Sequence, residues 1–291
     1  MSKLIFGLRP ADTITIIFLL FLSILTIFSY RNVPEAPFLL TTYIALIIMQ
    51  LIIIRFRNIG NIIGIFHDFI FPSIYIMIIF DSLGELVHYV NPKDIDHILI
   101  KLDYIIFKGH PTIILEKIMN PILTDIMQLA YISYYFIPVS FGAILLFKKQ
   151  RDNFNKTLFL VLLCFYLSFI GYILMPAIGP RFTIDHLQKE DLHGLFITEP
   201  IQNVLNMLEG IKRDAFPSGH TAIPLVILYL AFKYKRIIFW ILLPVVSALI
   251  FSTVYCRYHY VVDVIAGFGL AVLTIFLGER YYTWWLSKKE I

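Results

Sequence analysis

The chain has 291 residues, 59% of them hydrophobic and 16% aromatic, with a mean hydropathy of +0.80. That much apolar surface cannot be hidden inside a water-soluble domain of this length, which leaves a polytopic membrane protein. The formal charge of +4 arises from 24 basic and 20 acidic residues, and the basic ones sit in short clusters between apolar runs, which excludes a nucleic-acid-binding patch.

Apolar runs approaching or exceeding the ~20 residues needed to cross the hydrocarbon core recur along the whole sequence. Eight spans are predicted, near 13–30, 38–54, 60–80, 126–147, 157–177, 219–233, 237–254 and 261–280. The first follows Lys3 and Arg9 and has no small-x-small cleavage site behind it, so a retained helix is expected. The third carries His67-Asp68, read as a satisfied polar pair lining the bundle interior. The span at 219–233 is short, so it must tilt, thin the bilayer or sink into a cavity. An all-α transmembrane bundle is the expected fold, and with no repeat or linker in the sequence a single domain over 1–291 is expected.

Basic clusters at Arg55/Arg57, Lys148/Lys149/Arg151/Lys156, Lys233/Lys235/Arg236 and Arg280/Lys288/Lys289 fall on alternate loops. By the positive-inside rule those loops and both termini are expected to be cytoplasmic. The long connections 81–125 and 178–218, and the short one near 255–260, then lie on the extracytoplasmic side. In the first, DIDHILIKLDYIIFKG mixes charge with apolar residues at helical spacing, which predicts a helix lying in the interface plane. Cys164 and Cys256 build no disulfide framework and lack metal-site spacing.

Three polar stretches share the predicted outer face: PAIGPRF (Pro176 to Phe182), KRDAFPSGHT (Lys212 to Thr221) and CRYHYVVDVIAG (Cys256 to Gly267). Pro217-Ser218-Gly219 reads as a turn, and Pro224, suited to a first helical turn, places a helix start near His220. Unpaired amides and the positive dipole end make such a start a seat for an anion, with Ser218 as a donor, Gly219 allowing close approach and His220 beside it. A serine-capped helix whose histidine faces headgroups is the alternative. His259 and Asp263 are four apart and share a helix face, so the carboxylate can hold one ring N–H and leave the other nitrogen basic. An ordinary His–Asp capping pair is the alternative there. Arg181 and Arg257 add guanidinium forks, which match phosphate oxygens.

PSGHT followed ~40 residues later by RYHYVVDVIAG resembles the second and third signature motifs of the type 2 phosphatidic acid phosphatase superfamily, and PAIGPRF resembles a variant of the first. With DYIIFKGHPT (Asp103 to Thr112) and YISYYFIP (Tyr131 to Pro138), the Gly-Pro-Arg form is most similar to the inositol phosphorylceramide synthase-like branch, the inositolphosphotransferases. The likeness covers roughly 80–270, and it places the signature-bearing core at about 126–280, with upstream spans and the interfacial loop in 1–125. It implies a membrane enzyme acting on a lipid phosphate or phospholipid headgroup through a phosphohistidine, with no metal or other cofactor. His259 resembles the nucleophile, Asp263 the carboxylate that orients it, and His220 the acid that protonates the leaving oxygen. Arg181, Ser218 and Gly219 resemble phosphate ligands. The chain departs from the family at two positions: Leu174 stands where the first motif has lysine, and Thr253 where the third has arginine. Arg257, and Lys212 or Arg213, are the substitutes expected for those charges. A hydroxyl acceptor makes the protein a phosphotransferase. Water makes it a lipid phosphate or polyprenyl diphosphate phosphatase. A transporter is the rival of a different class, but its site would lie near the midplane between repeated halves.

Overall fold

The computed structural model describes residues 8–56, 61–208 and 213–289. The described residues are helical apart from connections and one isolated parallel bridge between Ala177 and Asp214. Apart from the single turns Pro111–Ile114 and Pro180–Thr183, the helices in chain order are α1 (Pro10–Phe28), α2 (Ala36–Phe56), α3 (Asn61–Ile65, a π-helical turn Phe66–Ile70, then Phe71–Val90), α4 (Asp96–Phe107) and α5 (Pro121–Phe147). There follow α6 (Arg151–Leu174), α7 (Thr198–Leu208), α8 (Gly219–Tyr234), α9 (Arg236–Tyr255) and α10 (Val261–Lys289).

Seven of the described helices are long and apolar enough to cross a bilayer. The eighth expected span, α8, has 16 residues, a length of ~24 Å. It sits inside the bundle against α5, α6, α9 and α10, and Ala222, Ile223, Val226, Ile227, Leu230 and Ala231 are fully buried. Protein surrounds this helix, so its length is not tied to the thickness of the lipid.

Some boundaries differ from the sequence reading. The third span runs on to Val90 and stops at Asn91, the residue before Pro92, where an α conformation is disfavoured. The last helix continues to Lys289. Pro224 lies in the second turn of α8, not the first, because the helix already starts at Gly219. A helix is present at the predicted stretch as α4, and two of its acidic residues face the protein: Asp96, Leu99 and Asp103 are buried, while His97, Ile98, Lys101, Leu102, Ile105 and Ile106 are exposed. That polarity suits a helix with protein on one side and hydrocarbon on the other.

Helices in lipid gain little from hydrophobic burial against one another, so packing and polar contacts must hold them together. Phe18 of α1 stacks on Tyr166 of α6 with centroids 4.5 Å apart, and Thr15 and Tyr166 share a hydrogen bond of 2.8 Å. At the same end of the bundle the π-turn sets His67 and Asp68 side by side, both buried. Arg9 donates to Asp12 and Asp68 at 2.9 and 2.8 Å, and Arg151 also reaches Asp68. Gln50 donates to Asp12 at 2.9 Å. This knot satisfies the polar pair and fastens α1 and α2 to the rest of the bundle.

Candidate active site

At the opposite end of the bundle the three polar stretches meet. After α6, Gly179 adopts a φ of +100°, and a Cβ there would lie 2.7 Å from the carbonyl oxygen of Tyr258. Only glycine meets both conditions, so the segment carrying Arg181 is seated directly on the backbone beside His259. The segment before α8 runs alongside it: Ala215 N donates to Ala177 O at 3.0 Å. The peptide between Phe216 and Pro217 is cis. Beyond α9, Arg257 turns the chain at a φ of +65°. The amides of Tyr258 and His259 then fold back onto the Thr253 carbonyl at 2.9 and 3.0 Å.

The rings of His220 and His259 come together with centroids 5.7 Å apart and planes at 53°. They line a small cavity of about 40 Å³ together with Arg181, Tyr131, Tyr258 and Asn206. Nδ1 of His259 is 2.8 Å from the Ala215 carbonyl oxygen and 3.4 Å from Oδ2 of Asp263. Both neighbours accept, so in the neutral imidazole Nδ1 carries the proton and Nε2 holds the lone pair. Asp263 is fully buried behind the ring, and its Oδ2 accepts from Tyr260 N at 2.8 Å. His220 is gripped by aromatic rings: Tyr131 stacks at 4.4 Å and Tyr134 lies at 4.1 Å. Arg181 sits 5.8 Å over the Tyr258 ring, and its Nη1 donates to Asn206 at 2.8 Å. The arrangement sets one imidazole, a second imidazole and a guanidinium around one small cavity.

Not every predicted residue reaches this cavity. Ser218 is fully buried, and its hydroxyl caps α8 by accepting from Thr221 N at 3.2 Å and Thr221 Oγ1 at 3.1 Å. Gly219 is the first residue of α8, where a Cβ would come within 2.7 Å of the Tyr172 hydroxyl. Arg257 points away: its guanidinium donates to Glu116 and Gln188 at 2.9 Å each and to the Glu190 carbonyl. Burial pulls its pKa below the ordinary arginine value, against the opposing pull of Glu116. Arg213 pairs through Nε with Asp94 at 3.1 Å. Lys212 lies outside the described residues.

Sequence reasoning left Tyr131, Tyr134, Tyr258 and Asn206 without a role. The spacing of Tyr131 and Tyr134, three apart and therefore on one helix face, was the available signal for the first two. Asn206 had none. It is delivered by α7, whose start is capped by Asp125 of α5, accepting from Leu195, Phe196, Ile197 and Thr198 amides at 2.9 to 3.3 Å.

The chain is 26% identical over 197 residues to a PA-phosphatase related-family protein of Dictyostelium discoideum, covering 60% of this chain and 36% of that one. It is 29% identical over 171 residues to a phosphoinositol dihydroceramide synthase of Bacteroides thetaiotaomicron, covering 54% of this chain and 55% of the relative. The chain thus spans about a third and about half of the length of these curated relatives. No solved structure matches it significantly. The sequence model of the PAP2 superfamily matches residues 103–277, more than half of the chain and all three polar stretches, and the chain therefore belongs to this superfamily of phosphatases and phosphotransferases.

Proposed function

We propose that the protein transfers the phosphoryl-linked headgroup of a phospholipid to a lipid hydroxyl through a covalent intermediate on His259. The observation that carries this reading is the approach of the two motif imidazoles to 5.7 Å across a cavity that also holds Arg181. Nε2 of His259 attacks phosphorus, an N–P bond forms, and the P–O bond to the diacylglycerol breaks. His220, protonated, gives its proton to the departing oxygen. Arg181 holds the negative oxygens. In the second half an acceptor hydroxyl attacks the same phosphorus, the N–P bond breaks, and His220 takes back a proton.

A lipid reaction partner is supported by a second, larger recess of about 870 Å³, lined by apolar side chains including Phe69, Ile76, Val139, Leu162 and Phe165, which shares His220 and Asp214 with the small cavity. A hydrocarbon tail lying there would bring its polar end to the imidazoles. The name of the Bacteroides relative supports inositol phosphate as the transferred group and a ceramide-type acceptor. The name of the Dictyostelium relative supports the alternative of water as acceptor, and so a phosphatase. By the positive-inside rule the basic loops support a site on the extracytoplasmic face, with both termini in the cytoplasm.

The test uses purified protein in detergent with phosphatidylinositol, labelled in its headgroup, and ceramide. The expected result is diacylglycerol together with label on ceramide. Label appearing only as free inositol phosphate makes the protein a hydrolase, and label remaining on the donor overturns the reading.

A further inference from the structure

Helix α4 does not line the small cavity, yet it holds the backbones of two of the three stretches that do. Asp96 accepts from Ile178 N and Gly179 N at 2.9 Å each, immediately ahead of Arg181, and from the Tyr260 hydroxyl, also at 2.9 Å. Tyr260 is the residue after His259, so one carboxylate ties the arginine segment to the histidine segment. Burial and then the adjacent Asp96 push the Tyr260 hydroxyl far above its ordinary pKa, which keeps it a neutral donor.

Asp103 lies seven residues further along the same buried face of α4. Its two oxygens accept from Val261 N at 2.9 Å and Val262 N at 3.0 Å. These are among the amides that a helix start leaves without an intrahelical partner, so α10 is capped in trans by a residue far away in the sequence. The capped turn begins two residues after His259 and contains Asp263. Asp96 and Asp103 are only 6% and 2% exposed. Burial pushes the Asp103 carboxyl above its ordinary pKa, against the two amides and His110, which pull it down. A carboxylate is costly in such a place, and what it secures there is the backbone around the histidine.

We infer that α4 is a clamp that sets the placement of Arg181 relative to His259, with Asp96 and Asp103 as positioning residues that never touch substrate. The inference rests on the transfer reading given above. Releasing either bond set leaves the reacting groups in place chemically but loosens their alignment, and a misplacement of ~1 Å costs about 100-fold in rate.

The full chain is assayed with labelled phosphatidylinositol and ceramide, and the same preparations are titrated with orthovanadate, which mimics five-coordinate phosphorus and needs no acceptor. Asp103→Ala is expected to lower kcat about 100-fold. Asp103→Asn, which keeps one acceptor oxygen, is expected to lower it about 10-fold, with KM and melting temperature nearly unchanged in both. Asp96→Ala is expected to weaken orthovanadate binding, because it removes both acceptors that hold the arginine segment. Unchanged kcat in both Asp103 variants overturns the clamp. So does failure of both to purify folded, which makes the contact purely structural, and so does a rise in KM that accounts for the whole loss. If the unmodified chain transfers no label but binds orthovanadate, and the variants bind it more weakly, the transfer reading falls and the clamp stands. If the unmodified chain does neither, both fall.

Discussion

Replacing His259 with alanine is expected to lower lipid-dependent turnover by about 100,000-fold while the bundle stays folded. The ring makes only local polar contacts, to the Ala215 carbonyl and to Asp263, and the backbone around it is held by Thr253, Asp103 and Asp263 rather than by the imidazole. Removing it should therefore delete the attacking nitrogen with little change in architecture. Turnover of headgroup-labelled phosphatidylinositol, with a thermal melt of the same preparation, checks the result. A fall of less than about 10-fold in a folded variant would remove His259 from the chemistry.

Asp263→Asn is expected to cost about 1,000-fold in kcat with little change in KM. Where a carboxylate alone fixes the histidine tautomer, the same exchange costs about 10,000-fold. Here the Ala215 carbonyl at 2.8 Å already holds the Nδ1 proton, so the ring keeps its tautomer in the variant. What disappears is the negative charge 3.4 Å from a ring that, in the proposed mechanism, becomes cationic when Nε2 takes the phosphoryl group. The loss should therefore fall on the formation of the adduct, and measured binding of the lipid donor should be nearly unaffected. A large rise in KM would instead show that Asp263 shapes the binding pocket.

The helices were legible because each apolar run had to find either lipid or protein, and their ends were misjudged where that choice is invisible. Nothing in FDSLGELVHYV marks an end before Pro92, so the third span ran ten residues past its expected limit. His220, His259, Asp263 and Arg181 were legible from motif spacing; His220, His259 and Arg181 line one small cavity, and Asp263 lies buried behind the His259 ring. Arg257 was attractive because it lies two residues from His259, but a positive-φ turn sends its side chain to Glu116, 141 residues earlier. Ser218 is fully buried at the N-cap of α8, where its oxygen accepts from Thr221, a placement that motif spacing alone did not show. Asp96 and Asp103 lie in a stretch read only as mixing charge with apolar residues at helical spacing. Both side chains are buried against the bundle, and their partners lie 82 to 164 residues away in the sequence. No local pattern encodes contacts of that range.

The most direct measurement of the proposed chemistry is an alkaline quench of the purified protein during turnover of headgroup-labelled phosphatidylinositol, followed by mapping of the labelled peptide. The expected result is an acid-labile label on Nε2 of His259, absent from His259→Ala and discharged when the acceptor lipid is added. Full turnover with no labelled histidine, or with the label on another residue, would contradict it.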